Sequence, residues 1–464
     1  MSSFSLSILP SRCRGAVLLR EVLDDLLGYG EVHAGSFGQL FCAGFPYGVN
    51  AAEVREKGEL ALLADAGDAV QHRTAHLLSP EPVVVVDGEP VDLLLRQRLS
   101  VWQRLLWLVP SALILMLLCH MAGQPDFIPR NYTVMEVFML VLGLIIVPKT
   151  VFFICSALGW GHNAYHHTTQ RWGERIGLAA AAAVMVLFLY GFTLGTQQVR
   201  VRHITVSSHE LPPSMDGYRI AHISDLHVGT YQGWRRATLK TIVDSVNGQH
   251  PDLICFTGDL QNTRPDEIAN VKELISSRAF AAPVVSILGN HDYEQYAGGR
   301  YKEKREVARR VVSTEKDTLG WRLLLNENYR PCAARSPLFY IVGTENDGKK
   351  PADRDSRSPR KANYRKAVSG IPRGAYVLML QHDPSAWQRS IIDSTTAQLT
   401  LSGHTHGGQM SIFGLRPTML GNSEDYGLYE RDGRLLYVSC GAGGVVPFRL
   451  AMPSEITIIT LKHQ

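Results

Sequence analysis

The residues of this chain that could do chemistry fall in five short clusters, all in its C-terminal half. Asp225-Leu226-His227 comes first. A carboxylate and an imidazole two residues apart at a strand end point the same way, because side chains alternate with period two, so both can reach one cation. In Gly258-Asp259 the glycine allows close backbone approach and the single carboxylate could bridge two metals. Gly289-Asn290-His291-Asp292 offers a neutral oxygen ligand at Asn290 and an imidazole at His291 that can act as an acid or stabilise charge. Asp292 stands ready to orient that ring. His382 follows an apolar run, and Gly403-His404-Thr405-His406-Gly407-Gly408 presents two imidazoles two apart. Taken singly, each cluster has an ordinary reading: a DxH pair is a strand-end turn, and an isolated histidine is more often a surface or core filler than a ligand. Five in order, each at a strand end, point to a metal centre. Nitrogen and carboxylate donors in this mixture suit manganese, iron or zinc, not calcium.

The elements that must position these clusters are legible around them. YRIAHISDLH, PDLICFTGD, APVVSILGN, SPLFYIVGT, AYVLMLQHD, AQLTLSGH and RLLYVSCG each read as a buried strand, and ITIITL closes the chain as one more. Helical patterns fill the gaps, as at Trp234–Val246 and Arg300–Val312. That alternation predicts an α/β fold with two sheets packed face to face and helices outside. A segment of this length, 199–464, can bury a full core by itself.

The rest of the chain differs in character. Three long apolar runs, roughly Trp102–Ala122, Val134–Leu158 and Ile176–Leu194, each approach the roughly 20 residues that cross a bilayer as a helix. Trp102, Trp107, Trp160 and Trp172 lie near their ends, where interfacial anchors belong. Pro148 and Lys149 interrupt the second run and predict a kink, with the lysine snorkelling or paired inside the bundle. Arg96, Arg98 and Arg104 precede the first run, Arg130 follows it, and Arg171 and Arg175 lie between the second and third. This pattern favours a cytoplasmic N-terminus and, after three crossings, a C-terminal domain outside the cytoplasm; Arg200 and Arg202 oppose it. Residues 1–95 hold no catalytic constellation and no convincing signal peptide. The domains expected are therefore 1–95, of unknown structure; 96–198, a transmembrane helical region; and 199–464, the catalytic domain. The seven cysteines form no CxxC pair, which argues against a disulfide framework or zinc-thiolate site, and the small net charge of +4 argues against a nucleic-acid partner.

The ordered set DxH, GD, GNHD, H, GHTH resembles the calcineurin-like metallophosphoesterase superfamily over about Tyr218–Leu461. ISDLHVG, GHTHGGQ, HDPSAW and the ending GLYERDGRLLYVSCGAGGVVPFRLAMPSEITIITL look closer still to the YkuE/YaeI-like membrane-associated bacterial phosphoesterases. The resemblance implies a four-layer α-β-β-α sandwich preceded by transmembrane helices. It implies two divalent metal ions: Asp225, His227 and His406 would hold one, Asn290, His382 and His404 the other, and Asp259 would bridge them. His291 would face the substrate and Asp292 would hold it in place. The implied reaction is hydrolysis of a phosphodiester or pyrophosphate bond of a phosphorylated small molecule or lipid-linked substrate, by an integral protein of a bacterial inner membrane. The arginine that follows the GD motif in the Ser/Thr phosphatases is absent, since the sequence runs Asp259-Leu260-Gln261-Asn262, which argues against a phosphoprotein substrate. The rival expectation is a catalytically silent membrane scaffold or sensor; such a protein should lack a ligand, and none is missing. Around the site, Glu345–Lys366 reads as a solvated basic loop or a lid over an anionic substrate. Gly441–Gly444 reads as a tight turn. The sequence implies no oligomeric state.

Overall fold

Side chains of the short strands divide by parity between two layers. In the computed structural model, which describes residues 101–123, 132–293, 301–348 and 360–464, twelve strands are arranged in two mixed sheets of six. They are β1 (Val199–Ser208), β2 (Arg219–Ile223), β3 (Leu253–Phe256), β4 (Val284–Ser286), β5 (Arg322–Leu323), β6 (Glu327–Tyr329), β7 (Phe339–Gly343), β8 (Tyr376–Leu380), β9 (Leu399–Ser402), β10 (Gly427–Arg431), β11 (Arg434–Val438) and β12 (Ser454–His463). The first sheet runs β1-β12-β2-β3-β4-β5 and the second β10-β11-β9-β8-β7-β6. Leu253 and Cys255 of β3 meet Tyr376, Leu378 and Leu380 of β8 in the core between the sheets. Ile254 and Phe256 point the other way, against Leu239, Ile242, Val243 and Val246. Those four line one face of helix α4 (Arg236–Asn247), at the spacing that makes an apolar stripe. Val377 and Met379 of β8 pack outward under Trp387 and Ile391. The result is the expected four-layer sandwich.

Every strand expected from the pattern is present, as are the helices expected at Trp234–Val246, found as α4, and at Arg300–Val312, found as α5 (Tyr301–Ser313). Strands β1, β5, β6 and β10 are additional. Residues 1–95 and the middle of the basic segment Glu345–Lys366 lie outside the described residues.

Among the described residues, three long helices precede the sandwich: Val101–Ala122, Tyr132–His166 and Trp172–Phe192. The second and third are long and apolar enough to cross a membrane, whereas the apolar part of the first, Leu108–Ala122, is shorter. Pro148 does not break the second helix. A π-helical turn at Leu142–Ile146 lies just before the proline, and such a turn is one recognised way for a helix to absorb an irregular backbone position. The helix ends next to the domain are pinned to it. The Tyr132 hydroxyl donates to the Val445 carbonyl, Arg235 pairs with Glu136, and Arg449 N–H donates to the Gly191 carbonyl at 2.9 Å.

Candidate metal centre

All the expected ligands sit just beyond the C-terminal ends of parallel strands: β2 and β3 and β4 from one sheet, β8 and β9 from the other. This is where ligand crevices form in α/β sheets. The local geometry differs from simple strand alternation. β2 ends at Ile223, and Asp225 and His227 both adopt left-handed backbone, with φ of 54° and 45°. Asp259 (58°), His404 (74°) and His406 (53°) do the same. A non-glycine residue with positive φ is uncommon, and a cluster of them marks strain retained at a functional site. The side chains converge because their backbones turn sharply.

Close packing of the loops makes this possible. Gly258 has φ of 95°, and a side chain there would meet Gly289 Cα and Leu288 C at 2.7 Å, so the Asp259 and Asn290 loops could not approach. A side chain on Gly403 would run into Ser224 and the Asp225 carboxylate. Gly441–Gly444 is more than a turn: Ala442 and Gly443 N–H groups donate to the Ser224 and Asp225 carbonyls at 2.8 Å and brace the first loop from below.

Three groups of donors result: Asp225, His227 and His406; Asp259, His382 and His404; and His227, Asp259 and His291, with donor atoms within 4.8 Å of one another in each. Asp259 is shared. Its Oδ1 accepts from His291 N–H at 2.8 Å, while its Oδ2 lies 3.5 Å from His227 Nε2 and 3.2 Å from His382 Nε2. Asn290 Oδ1 is 2.9 Å from His382 Nε2 and 2.8 Å from His404 Nδ1. The other ring nitrogens are held by carbonyls: His227 Nδ1 by Gln261 at 3.1 Å and His382 Nδ1 by Thr257 at 2.7 Å. Such contacts fix tautomer and ring orientation in metal-binding histidines. Among the described residues, His227 Nε2, which faces Asp259 and the donor group, is buried with no hydrogen-bond partner. A buried polar atom left unpaired is costly, and a cation among these donors would satisfy it. The residues therefore fit a metal.

Electrostatics agree. Burial pushes the Asp225 carboxyl up to about 7, with Asp259 adding to it. Burial pushes His227 down to about 3, keeping the imidazole neutral as a ligand must be. Burial would also lower His382, but the charge and hydrogen bond of Asp259 outweigh it and hold the ring at about 10. Asp259 is held well below the usual carboxylate range, because the neighbouring imidazoles, led by His382, overcome its desolvation.

Residues 218–408 match the family model of calcineurin-like phosphoesterases. Those residues form a calcineurin-like phosphoesterase domain. The chain is 28% identical over 289 residues to a transmembrane protein with metallophosphoesterase domain from Danio rerio, covering 60% of this chain and 61% of that protein. It thus spans under two thirds of that relative's length. It is 28% identical over 295 residues to the uncharacterized metallophosphoesterase YkuE of Bacillus subtilis, covering 62% of this chain and 94% of that one. A transmembrane protein with metallophosphoesterase domain from Bos taurus is 27% identical over 335 residues, covering 67% and 70%.

One residue of the metallophosphoesterase site does something other than expected. Asp292 does not hold His291. Its carboxylate accepts from four backbone N–H groups, those of Asp259 (2.8 Å), Gly289 (2.9 Å), Leu260 (2.9 Å) and Gln261 (3.2 Å), and both oxygens are occupied in doing so. It clasps the GD loop to the GNHD loop. The His291 ring is held by the Asn262 carbonyl, 2.7 Å from Nδ1. Sequence reasoning also passed over Asp383. It is buried, with Oδ2 4.0 Å from His404 Nε2, and the His404 imidazole, with hydrogen bonds from Ser385, lowers its carboxyl pKa despite its desolvation. The signal was at hand in HDPSAW, where an acid directly follows the ligand His382.

Proposed function

We propose that the protein is a membrane-anchored hydrolase that cleaves a phosphodiester or pyrophosphate bond, with a lipid-linked phosphoester as its substrate class. The observation that carries the two-metal reading is Asp259 Oδ2, which faces one imidazole from each ligand set at 3.5 and 3.2 Å. On this reading Asp225, His227 and His406 would hold one cation, Asn290, His382 and His404 the second, and Asp259 would serve both; the donor set suits manganese, iron or zinc. When bound, the two cations supply Lewis acidity for the phosphoryl oxygens and a nucleophile at neutral pH. The chain's own residues do the rest. Carbonyls of Thr257 and Gln261 aim the ligand rings. With His291 Nδ1 committed to the Asn262 carbonyl, Nε2 is the atom that meets the leaving oxygen. Burial lowers the pKa of this ring, and the negative charge of a bound phosphoester favours its protonated form.

The membrane part of the reading rests on the two long apolar helices and on relatives described as transmembrane proteins. With all three helices crossing and the N-terminal arginines in the cytoplasm, the protein is an integral membrane protein with its catalytic domain on the non-cytoplasmic side. The deciding experiment is elemental analysis of the full chain together with turnover of bis(4-nitrophenyl) phosphate. Two transition metals per chain and metal-dependent turnover are expected, and Asp259→Asn should weaken both sites. An active preparation with one metal or none would refute the two-metal reading.

A further inference from the structure

We propose that the loop from Met410 to Gly421 dips into the apolar layer of a phospholipid membrane and seats the metal centre at the headgroup surface. The inference rests on the reading that the apolar helices cross a bilayer, and it adds a second, separate membrane contact. Ile412, Phe413, Leu415, Met419 and Leu420 are all exposed large apolar residues; Phe413 is 102% exposed, Leu420 75% and Leu415 69%. Single exposed apolar residues are ordinary, but a cluster of five within nine residues marks an interaction surface.

The tip is built, not slack. Ile412 and Leu415 exchange N–H···O bonds at 2.9 and 3.0 Å around Phe413 and Gly414, whose φ values are 51° and 84°. Asparagine or glycine is the usual residue at the first position of such a turn, and a bulky side chain there is strained. The phenylalanine is thus held out, strained, away from any packing of its own chain. The loop's single charge is internally neutralised: the Arg416 guanidinium forms a two-bond pair with Asp425, at 2.6 and 3.0 Å. No uncompensated charge within the loop opposes entry into lipid.

A bilayer is the occupant because the loop is tied to the end of a membrane helix. Ser411 N–H donates to the Leu450 carbonyl, and Leu450 N–H to the Gln409 carbonyl. The adjacent Arg449 N–H donates to Gly191 in the last turn of the Trp172–Phe192 helix, and the Phe448 ring stacks on Phe188 of that helix at 5.1 Å. Arg235 reaches Glu136, one turn inside the Tyr132–His166 helix, and lies 4.8 Å over the Phe192 ring. The domain is therefore seated directly on the helix ends, and the loop that follows the His406–Gln409 turn leaves it at that level.

The test uses the full chain in phosphatidylcholine nanodiscs carrying an alkyne-tagged phosphatidylcholine. A photoreactive benzoylphenylalanine is placed at position 413 or 420, at position 153 inside a membrane helix, and at position 432, in the exposed β10–β11 turn at the end of the sheet opposite the ligand loops. Capture of lipid at 413, 420 and 153 but not at 432 is expected. Capture at 153 without capture at 413 and 420, or capture of a second protein at 413, would overturn the wedge and leave the membrane reading standing. No capture at any position would overturn both. The double variant Phe413→Asp, Leu420→Asp should keep its turnover of bis(4-nitrophenyl) phosphate within about twofold, because neither residue is among the ligands. It should lose about tenfold on a bilayer-embedded phosphoester, the size of a small loss of apolar burial. Equal loss on both substrates would overturn the wedge. If lipid capture at 413 and 420 persists while neither substrate is turned over, the wedge stands and the hydrolase reading fails.

Discussion

His291 and His404 lie in neighbouring loops and carry the same ring, yet the proposed mechanism gives them different work. His404 Nδ1 faces Asn290 Oδ1 at 2.8 Å and its Nε2 faces Asp383, within a donor group completed by Asp259 and His382. His291 is anchored through Nδ1 to a backbone carbonyl. On the proposed reading His291 faces the substrate and is no ligand, so His291→Ala should keep near-normal metal content and lose about 10²–10⁴-fold in turnover, the usual worth of a positioned acid. The loss should shrink for a nitrophenolate leaving group, which needs no proton. His404→Ala should lose metal and turnover together for every substrate. Metal stoichiometry and rates with good and poor leaving groups, measured on both variants, separate these outcomes; loss of metal from His291→Ala would make that residue a ligand.

His382 supplies a pH prediction at the same scale. In the metal-free chain its ring is held at about 10, so at pH 7 it carries a proton that a metal must displace. Metal affinity should then rise with pH, up to about tenfold per unit for each proton released. Calorimetric titration in two buffers of different ionisation enthalpy should show proton release at pH 7. Stability linked to this group runs the other way. The raised pKa stabilises the metal-free fold fully below the unfolded value of about 6.5 and loses that contribution as pH rises through about 10.

At the scale of elements, the site depends on loops that bind one another more than on the strands that launch them. Asp292 is the clasp between two such loops, with four N–H donors converging on one buried carboxylate. Burial and the nearby Asp259 push this carboxyl up to about 7, against the four donors that favour its anion. Asp292→Asn replaces one acceptor oxygen by a donor and leaves at least one buried N–H unsatisfied. A destabilisation of about 1–3 kcal/mol is expected for each such group. Metal content should fall with it, because the displaced loop carries Asp259. Thermal unfolding and metal analysis of the variant check this, and an unchanged metal content would show that the loops hold without the clasp. Arg449 plays a comparable part on the other side: buried, it donates to the carbonyls of Cys440, Gly441, Gly443, Met452 and Pro453 and sets the segment that joins the Asp225 loop to the Trp172–Phe192 helix.

For the whole molecule, the arrangement places the candidate metal centre in a domain seated on helix ends. The ion pair of Arg235 with Glu136 and the stack of Phe448 on Phe188 bind domain and helices into one body. The side of the membrane then follows from the number of crossings. With three, and the N-terminal arginines inside, a reporter fused after Gln464 should be active only on the non-cytoplasmic side. Activity confined to the cytoplasm would mean that the shorter helix, apolar over Leu108–Ala122, does not cross.

The donor residue types and the strands that launch them can be read from the sequence alone. Metal ligands must be particular residue types, and strands such as Leu253–Phe256 and Tyr376–Leu380 are short apolar runs ended by polar turns, so both signals are local. Strand Val199–Ser208 was not singled out, because as a half-exposed edge its partner is Ser454–His463, some 255 residues away, and that pairing leaves no mark in its own composition. The two-residue strand Arg322–Leu323 is likewise defined by its neighbour. Side-chain direction was also beyond reach. Strand alternation predicted that Asp225 and His227 point together, but left-handed backbone, held by Gly258, Gly403 and Gly443 packing against distant loops, is what converges them. The task of Asp292 was decided the same way: its type is compatible with orienting a histidine, but four N–H groups, three of them from a loop some thirty residues upstream, reach it first.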